Sequence, residues 1–188
     1  MRGSVGAMAL ELDEAVFYLD SDKELAAGAG WQPKKNRAGS YPVMFFERRL
    51  RIAQAMPRGL KFRISVFPTF PDVATFQLEC DQPGQKTCLV LYRLEWHPIS
   101  GHSNGLGLPT PPEIQGLVFL PGDTHEHTCR DHVTAVERRV LEPGVHAARR
   151  IEPDFQTYDA ALSYVCGRIR LINPEAIPPS GAQWDLGV

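Results

Sequence analysis

The chain reads as an α+β protein: a curved, mainly antiparallel sheet with an N-terminal helix and one C-terminal helix packed against it. Three observations predict this. Four segments between residues 41 and 97 carry strand-like patterns separated by turn-rich stretches. Residues 10–27 and 157–168 instead repeat apolar side chains at helical spacing. The 188 residues, 43% hydrophobic and 22% charged, suit one globular domain over 1–188, with a flexible segment at 1–9 and an extended tail at 174–188.

At the N-terminal end, Leu12, Val16 and Leu19 form one stripe, with Glu11, Asp13, Glu14 and Asp20 on other faces. Ser21 or Asp22 caps a second short turn that runs to Gly28. Residues 41–51 are apolar and then basic, and 62–69 and 75–80 alternate. The longest β pattern is 87–97, with Leu89, Leu91, Arg93 and Glu95 on one face and Val90, Tyr92, Leu94 and Trp96 on the other. Pro83-Gly84 closes 75–80 and 87–97 into a hairpin, which places Cys80 opposite Thr87 and leaves Cys80 and Cys88 as free thiols on opposite sides. Residues 98–112 form a long loop, 114–120 a strand, and Pro121-Gly122-Asp123 a turn. Thr157 N-caps the helix 157–168, whose stripe is Tyr158, Ala161, Leu162, Val165, Cys166 and Ile169.

The turn at 121–123 leads into the densest chemistry of the chain, Thr124-His125-Glu126-His127-Thr128-Cys129-Arg130-Asp131-His132. Imidazole and thiolate are the side chains that ligate transition metals or titrate near neutral pH. In an extended segment His125 and His127 share one face, Glu126 takes the other, and Cys129 continues the histidine face. His125 and His127 would hold a metal, with Cys129, Asp131 or His132, or the loop residues His97 and His102, completing the set; zinc suits such a mixture. Glu126 or His102 would move protons. The same stretch also fits a solvated strand end with no metal. A zincin is excluded because the residue four after His125 is Cys129, not His. The two-histidine phosphoesterase pattern needs His-x-Ser/Thr twice, and the chain does not carry the pair.

Two resemblances attach to these residues. Arg93-Leu94-Glu95-Trp96-His97, His102-Ser103-Asn104, Glu113-Ile114-Gln115-Gly116, the segment from Gly122 to His127, and Tyr158-Asp159-Ala160-Ala161-Leu162 together resemble a group of uncharacterised bacterial and prophage proteins with a histidine-rich strand. That resemblance implies a small α+β domain, often encoded on mobile elements, and assigns no catalytic residue. His125-x-His127, Asp131 and Pro143-Gly144-Val145-His146 resemble the two metal motifs of cupins, with Asp131 standing where cupins usually have Glu.

Basic residues offer a second kind of site. Arg48, Arg49, Arg51, Arg58, Lys61 and Arg63 would form a patch able to track phosphates if their segments pair. The net charge of −2 gives no global basic field, so the alternative is a sheet face balanced by nearby acids. No apolar run approaches the ~20 residues of a membrane span, and Arg2 is not followed by a signal-peptide core; the expectation is a cytoplasmic protein without membrane contact. Two functions follow as expectations. One is a bacterial or mobile-element module that binds another protein or nucleic acid, without cofactor. The other is a metal-assisted hydrolase or cupin-like protein using zinc.

Overall fold

Nine helix-compatible residues follow the first two described positions, and the chain opens accordingly: β1 (Leu10–Glu11) runs into α1 (Leu12–Asp20). The computed structural model describes residues 10–34, 42–82, 87–107, 110–131, 140–141, 147–152 and 154–179. The flexible segment expected at 1–9 lies outside them. After α1 come β2 (Glu24–Leu25), β3 (Gln32–Lys34), β4 (Val43–Arg51), β5 (Leu60–Phe67), β6 (Phe70–Asp81) and β7 (Cys88–Trp96). Next are β8 (His102–Ser103), β9 (Val118–Phe119), β10 (His125–Thr128), β11 (Val140–Leu141), β12 (Ala148–Arg150) and α2 (Tyr158–Arg168).

The main sheet has the order β12-β10-β7-β6-β5-β4-β2, with β3 also paired to β4, and every pairing is antiparallel. It is an α+β fold with two helices packed on one face of the sheet. Alternation supplies that face: Met44, Phe46 and Leu50; Leu60, Phe62, Ile64 and Val66; Ala74, Phe76, Leu78 and Cys80 are all buried. They meet Ala15, Tyr18 and Leu19 of α1 and Tyr158, Ala161, Val165 and Cys166 of α2 in one core. Thr157 caps α2 by accepting from the Ala160 N–H at 3.2 Å, as its position predicted.

The hairpin β6–β7 forms, but not in the expected register. Asp81 faces Cys88 and Cys80 faces Leu89, so the link spans 82–87 rather than two residues. The register also slips at Leu78–Glu79: Leu78 faces Tyr92 while Glu79 faces Val90. This bulge leaves Leu91 as an extra residue and reverses inward and outward beyond it. Leu89 and Leu91, expected beside Arg93 and Glu95, therefore join the core with Tyr92, Leu94 and Trp96. All four cysteines are free.

Other expectations are corrected. The helix expected over 10–27 stops at Asp20, where Ser21 takes an extended conformation and its hydroxyl donates to the Phe17 carbonyl. Residues 24–25 pair with β4 instead of forming a second turn. The cause is Lys23, fully buried, whose ammonium donates to the carbonyls of Leu19, Ser21 and Ile169. One cation thus satisfies the C-terminal ends of α1 and α2, where carbonyls lack partners and the helix dipoles are negative. The strand expected at 114–120 is a 3-10 turn (Pro112–Ile114) followed by the two residues of β9. The tail is not extended where described: Pro174–Ala176 is a 3-10 turn and Ile177 is buried in the core. Among the described residues no helix is long and apolar enough to cross a membrane.

Replacing Lys23 by Met is expected to lower unfolding stability by about 2 to 3 kcal/mol, because buried carbonyls lose their donor. Urea denaturation measures this; a midpoint unchanged from wild type would show that the cage is dispensable.

Candidate metal centre

The sheet face turned away from the helices carries the polar side chains. Register aligns them into two rows across the strands. One row runs Phe45, Ser65, Thr75, Glu95 and His125; the other runs Glu47, Arg63, Gln77, Arg93 and His127. Both rows therefore end on the two histidines of β10, which are 0% and 3% exposed.

The third histidine arrives from the connection between β7 and β10. The described parts of this connection, 97–107 and 110–124, fold back over this end of the face through the pairing of two short strands. β8 pairs with β9, setting His102 opposite Phe119. The Asn104 amide donates to the carbonyls of Ile114 (2.7 Å) and Ala148 (2.9 Å), and its oxygen accepts from the Ala148 N–H (2.8 Å). Phe119, Ile114 and Ala148 are buried together with these polar anchors, forming a second small core separate from the main one. Gly101 permits the approach: a Cβ there would lie 2.3 Å from the Phe119 carbonyl oxygen.

His102, His125 and His127 consequently converge, with one ligand nitrogen of each within 4.8 Å of the others. Ring centroids stand 4.6 Å apart for His102–His125, 5.4 Å for His102–His127 and 5.1 Å for His125–His127, and His102 stacks on Phe119 at 5.0 Å. His125 Nδ1 lies 2.7 Å from the Asp123 carbonyl oxygen. A carbonyl only accepts, so Nδ1 carries a proton. Nε2 of His125 and Nε2 of His102 are both buried without a hydrogen-bond partner among the described residues. Burial, then the neighbouring His125, lowers the pKa of His102.

Glu95 completes the cluster. Its Oε2 lies 3.4 Å from His125 Nε2, within ion-pair range but without hydrogen-bond direction, and its other oxygen pairs with Arg93. Burial alone would raise its pKa; His125, Arg93 and His127 outweigh that and hold the carboxyl well below its usual value. Glu95 was not singled out from the sequence. The β-alternation places it opposite the apolar face of β7, but only the pairing of β7 with β10 puts it beside His125.

The other expected site residues go elsewhere. Glu126 faces the helices, where its carboxylate accepts from Tyr92 (2.9 Å), Tyr164 (3.2 Å) and Arg168 (3.0 and 3.2 Å). It is a structural anchor there, so its expected catalytic role beside the histidines is corrected. The strand ends at Thr128, and Cys129 opens a 3-10 turn (Cys129–Asp131) into the main core instead of continuing the histidine face. Burial pushes its thiol pKa up to about 11, which disfavours the thiolate a metal needs. Asp131 is bidentate to Arg149, at 2.7 and 2.8 Å. His97 pairs with Asp154 at 2.8 Å, and His132 lies outside the described residues, as does His146.

The basic segments do pair, as β4 and β5, yet they share their face with acids. Arg49 pairs with Asp81; Lys61 pairs with Glu47, Glu79 and Asp81; Arg63 pairs with Glu79 at 2.9 Å. Arg48 points to the opposite side, donating to the Ala26 and Ala29 carbonyls over the Phe46 ring. Arg51 and Arg58 are exposed. Compared with protein-family models, with curated proteins and with solved structures, the chain matches none.

Two outcomes follow. Gly101→Val is expected to push β8 off β9, so that amide hydrogen exchange at Asn104 loses its protection while the central strands keep theirs. Retained protection at Asn104 would show that the close approach is not what seats His102. The second concerns Asp81, whose pKa burial alone would raise but Lys61 and Arg49 bring below its usual value. A depressed folded pKa gives stability that is present above the unfolded value near 3.9 and lost as pH falls through the folded one. Asp81→Asn is thus expected to flatten the acid limb of the stability–pH curve below about pH 4; an unchanged limb would refute the assignment.

Proposed function

We propose that the chain is a metal-assisted hydrolase whose metal is held by His102, His125 and His127. The observation that carries this reading is the convergence of the imidazoles: one ligand nitrogen each of His102, His125 and His127 lies within 4.8 Å of the others, and His125 spends its Nδ1 proton on a backbone carbonyl. Carbonyl-bound imidazoles of this kind are the usual supports of metal sites, because the second hydrogen bond fixes tautomer and ring orientation. Three nitrogen ligands with a carboxylate alongside suit zinc, and three protein ligands leave a fourth position for water, which the ion acidifies. Glu95, at 3.4 Å from His125 Nε2, is the carboxylate placed to take the water proton.

The interaction-module reading has less behind it. Its basic residues Arg49, Lys61 and Arg63 share their face with Glu47, Glu79 and Asp81, so little unbalanced charge is left to attract phosphates.

Purified protein reconstituted with zinc is expected to retain about one ion per chain by elemental analysis, and the His125→Ala/His127→Ala variant to retain none. Turnover of p-nitrophenyl acetate by the zinc form should fall at least about 100-fold in Glu95→Gln with metal content unchanged. A wild-type protein that takes up no zinc, cobalt or manganese at micromolar concentration sinks the proposal; full metal with no turnover sinks the hydrolytic part.

A further inference from the structure

A base that works beside a metal must not itself be bound to it, and Glu95 stands at that boundary. Its Oε2 lies 3.4 Å from His125 Nε2. Two ligand atoms on one tetrahedral zinc, each about 2.0 to 2.1 Å from the ion, stand roughly 3.3 to 3.4 Å apart. Relative to His125, the carboxylate already sits at the spacing of a fourth ligand. Yet the group whose ligand atoms converge within 4.8 Å holds the three histidines alone. Glu95 stops short of joining them.

Arg93 accounts for the difference. The two residues lie two positions apart on β7, so their side chains leave the same face of the sheet. Across the strands Glu95 faces His125 and Arg93 faces His127. The carboxylate is thus pulled two ways: Oε1 pairs with an Arg93 terminal nitrogen at 2.5 Å, while Oε2 lies beside His125. The Arg93 and Glu95 side chains are only 25% and 15% exposed, so water and salt screen the pair weakly. Among the described residues Arg93 has no other ion-pair partner, and its Nε–H has no acceptor. Its charge is committed to Glu95.

We propose that Arg93 is a positioning residue that withholds Glu95 from the metal, which keeps three protein ligands and an open fourth position. This rests on the metal reading above. Without the guanidinium, Oε1 loses its partner and the carboxylate is free to turn onto the ion. Three histidines and a carboxylate would close the site, which is the character of a structural zinc centre and not of a hydrolytic one. Arg93 separates the two outcomes.

Cobalt in place of zinc makes the difference visible, because its absorption reports the number and kind of its ligands. Wild-type protein loaded with cobalt is expected to change its spectrum when azide enters the open position. The spectrum of Arg93→Met is expected not to respond to azide, and its zinc affinity to rise at least about tenfold. Arg93→Lys, which keeps the cation, should restore the wild-type response. Loss of a nearby positive charge would by itself tighten metal binding, so the same substitution is also made together with Glu95→Gln. There Arg93→Met should leave the azide response intact and change zinc affinity by less than about threefold. Thermal unfolding confirms that each variant is folded, and Arg93→Gln takes the place of Arg93→Met if the latter is not. An azide response that survives loss of Arg93, or an equal gain in affinity with and without Glu95→Gln, overturns this inference and leaves the metal reading standing. Wild-type protein that takes up no metal overturns both.

Discussion

The carboxylate of Glu126 is the constraint on which the site depends. It lies buried beneath α2, with two tyrosine hydroxyls and the Arg168 guanidinium on its oxygens. A buried carboxylate is tolerated only with such partners. Because side chains alternate along a strand, seating Glu126 among the helices places His125 and His127 on the opposite face. A slip of one residue would bury two imidazoles under α2 and expel the carboxylate from its partners, so the register of β10 is strongly specified. The chemistry on one side of the sheet is thus enforced by an ion pair on the other.

Burying His125 and His127 also has a cost, since charged imidazoles are poorly accommodated away from water. The fold supports them by building a second small core over that end of the face. Asn104 ties the connection to β12 with two hydrogen bonds to Ala148 and to Ile114 with a third, Gly101 lets β8 close on β9, and Phe119 lies against His102 and His125. A backbone hydrogen bond fixes the His125 ring, as the second hydrogen bond of a metal-ligating imidazole does. Glu95 adds a negative charge beside the histidines, so a divalent ion there would be partly balanced.

Further along the same face the charges cancel almost completely. Lys61 alone reaches Glu47, Glu79 and Asp81 at 3.0 to 3.5 Å. Such a lattice of opposite charges holds three strands in register and leaves a weak outward field. Toward β7 the pairing continues, with Arg93 against Glu95.

Much of the fold was legible in the residues themselves. Alternation marked β4 to β7 and helical spacing with a threonine cap marked α2, because both signals are local and come from which side chains must be buried. The same alternation separated Glu126 from the two histidines. What local pattern could not supply was everything set by pairing across distance. The bulge at Leu78–Glu79 turned Leu89 and Leu91 inward, the cation of Lys23 ended α1 early, and the 3-10 turn after Thr128 took Cys129 into the core. His102 and Glu95 joined His125 and His127 only because β7 pairs with β10 and the chain between them folds back. Within unbroken strands the sequence by itself determined which residues face the helices and which face away; the tertiary structure decided where a bulge or turn reverses that alternation and which of the outward residues meet, since both depend on pairing between separate strands and not on spacing along the chain.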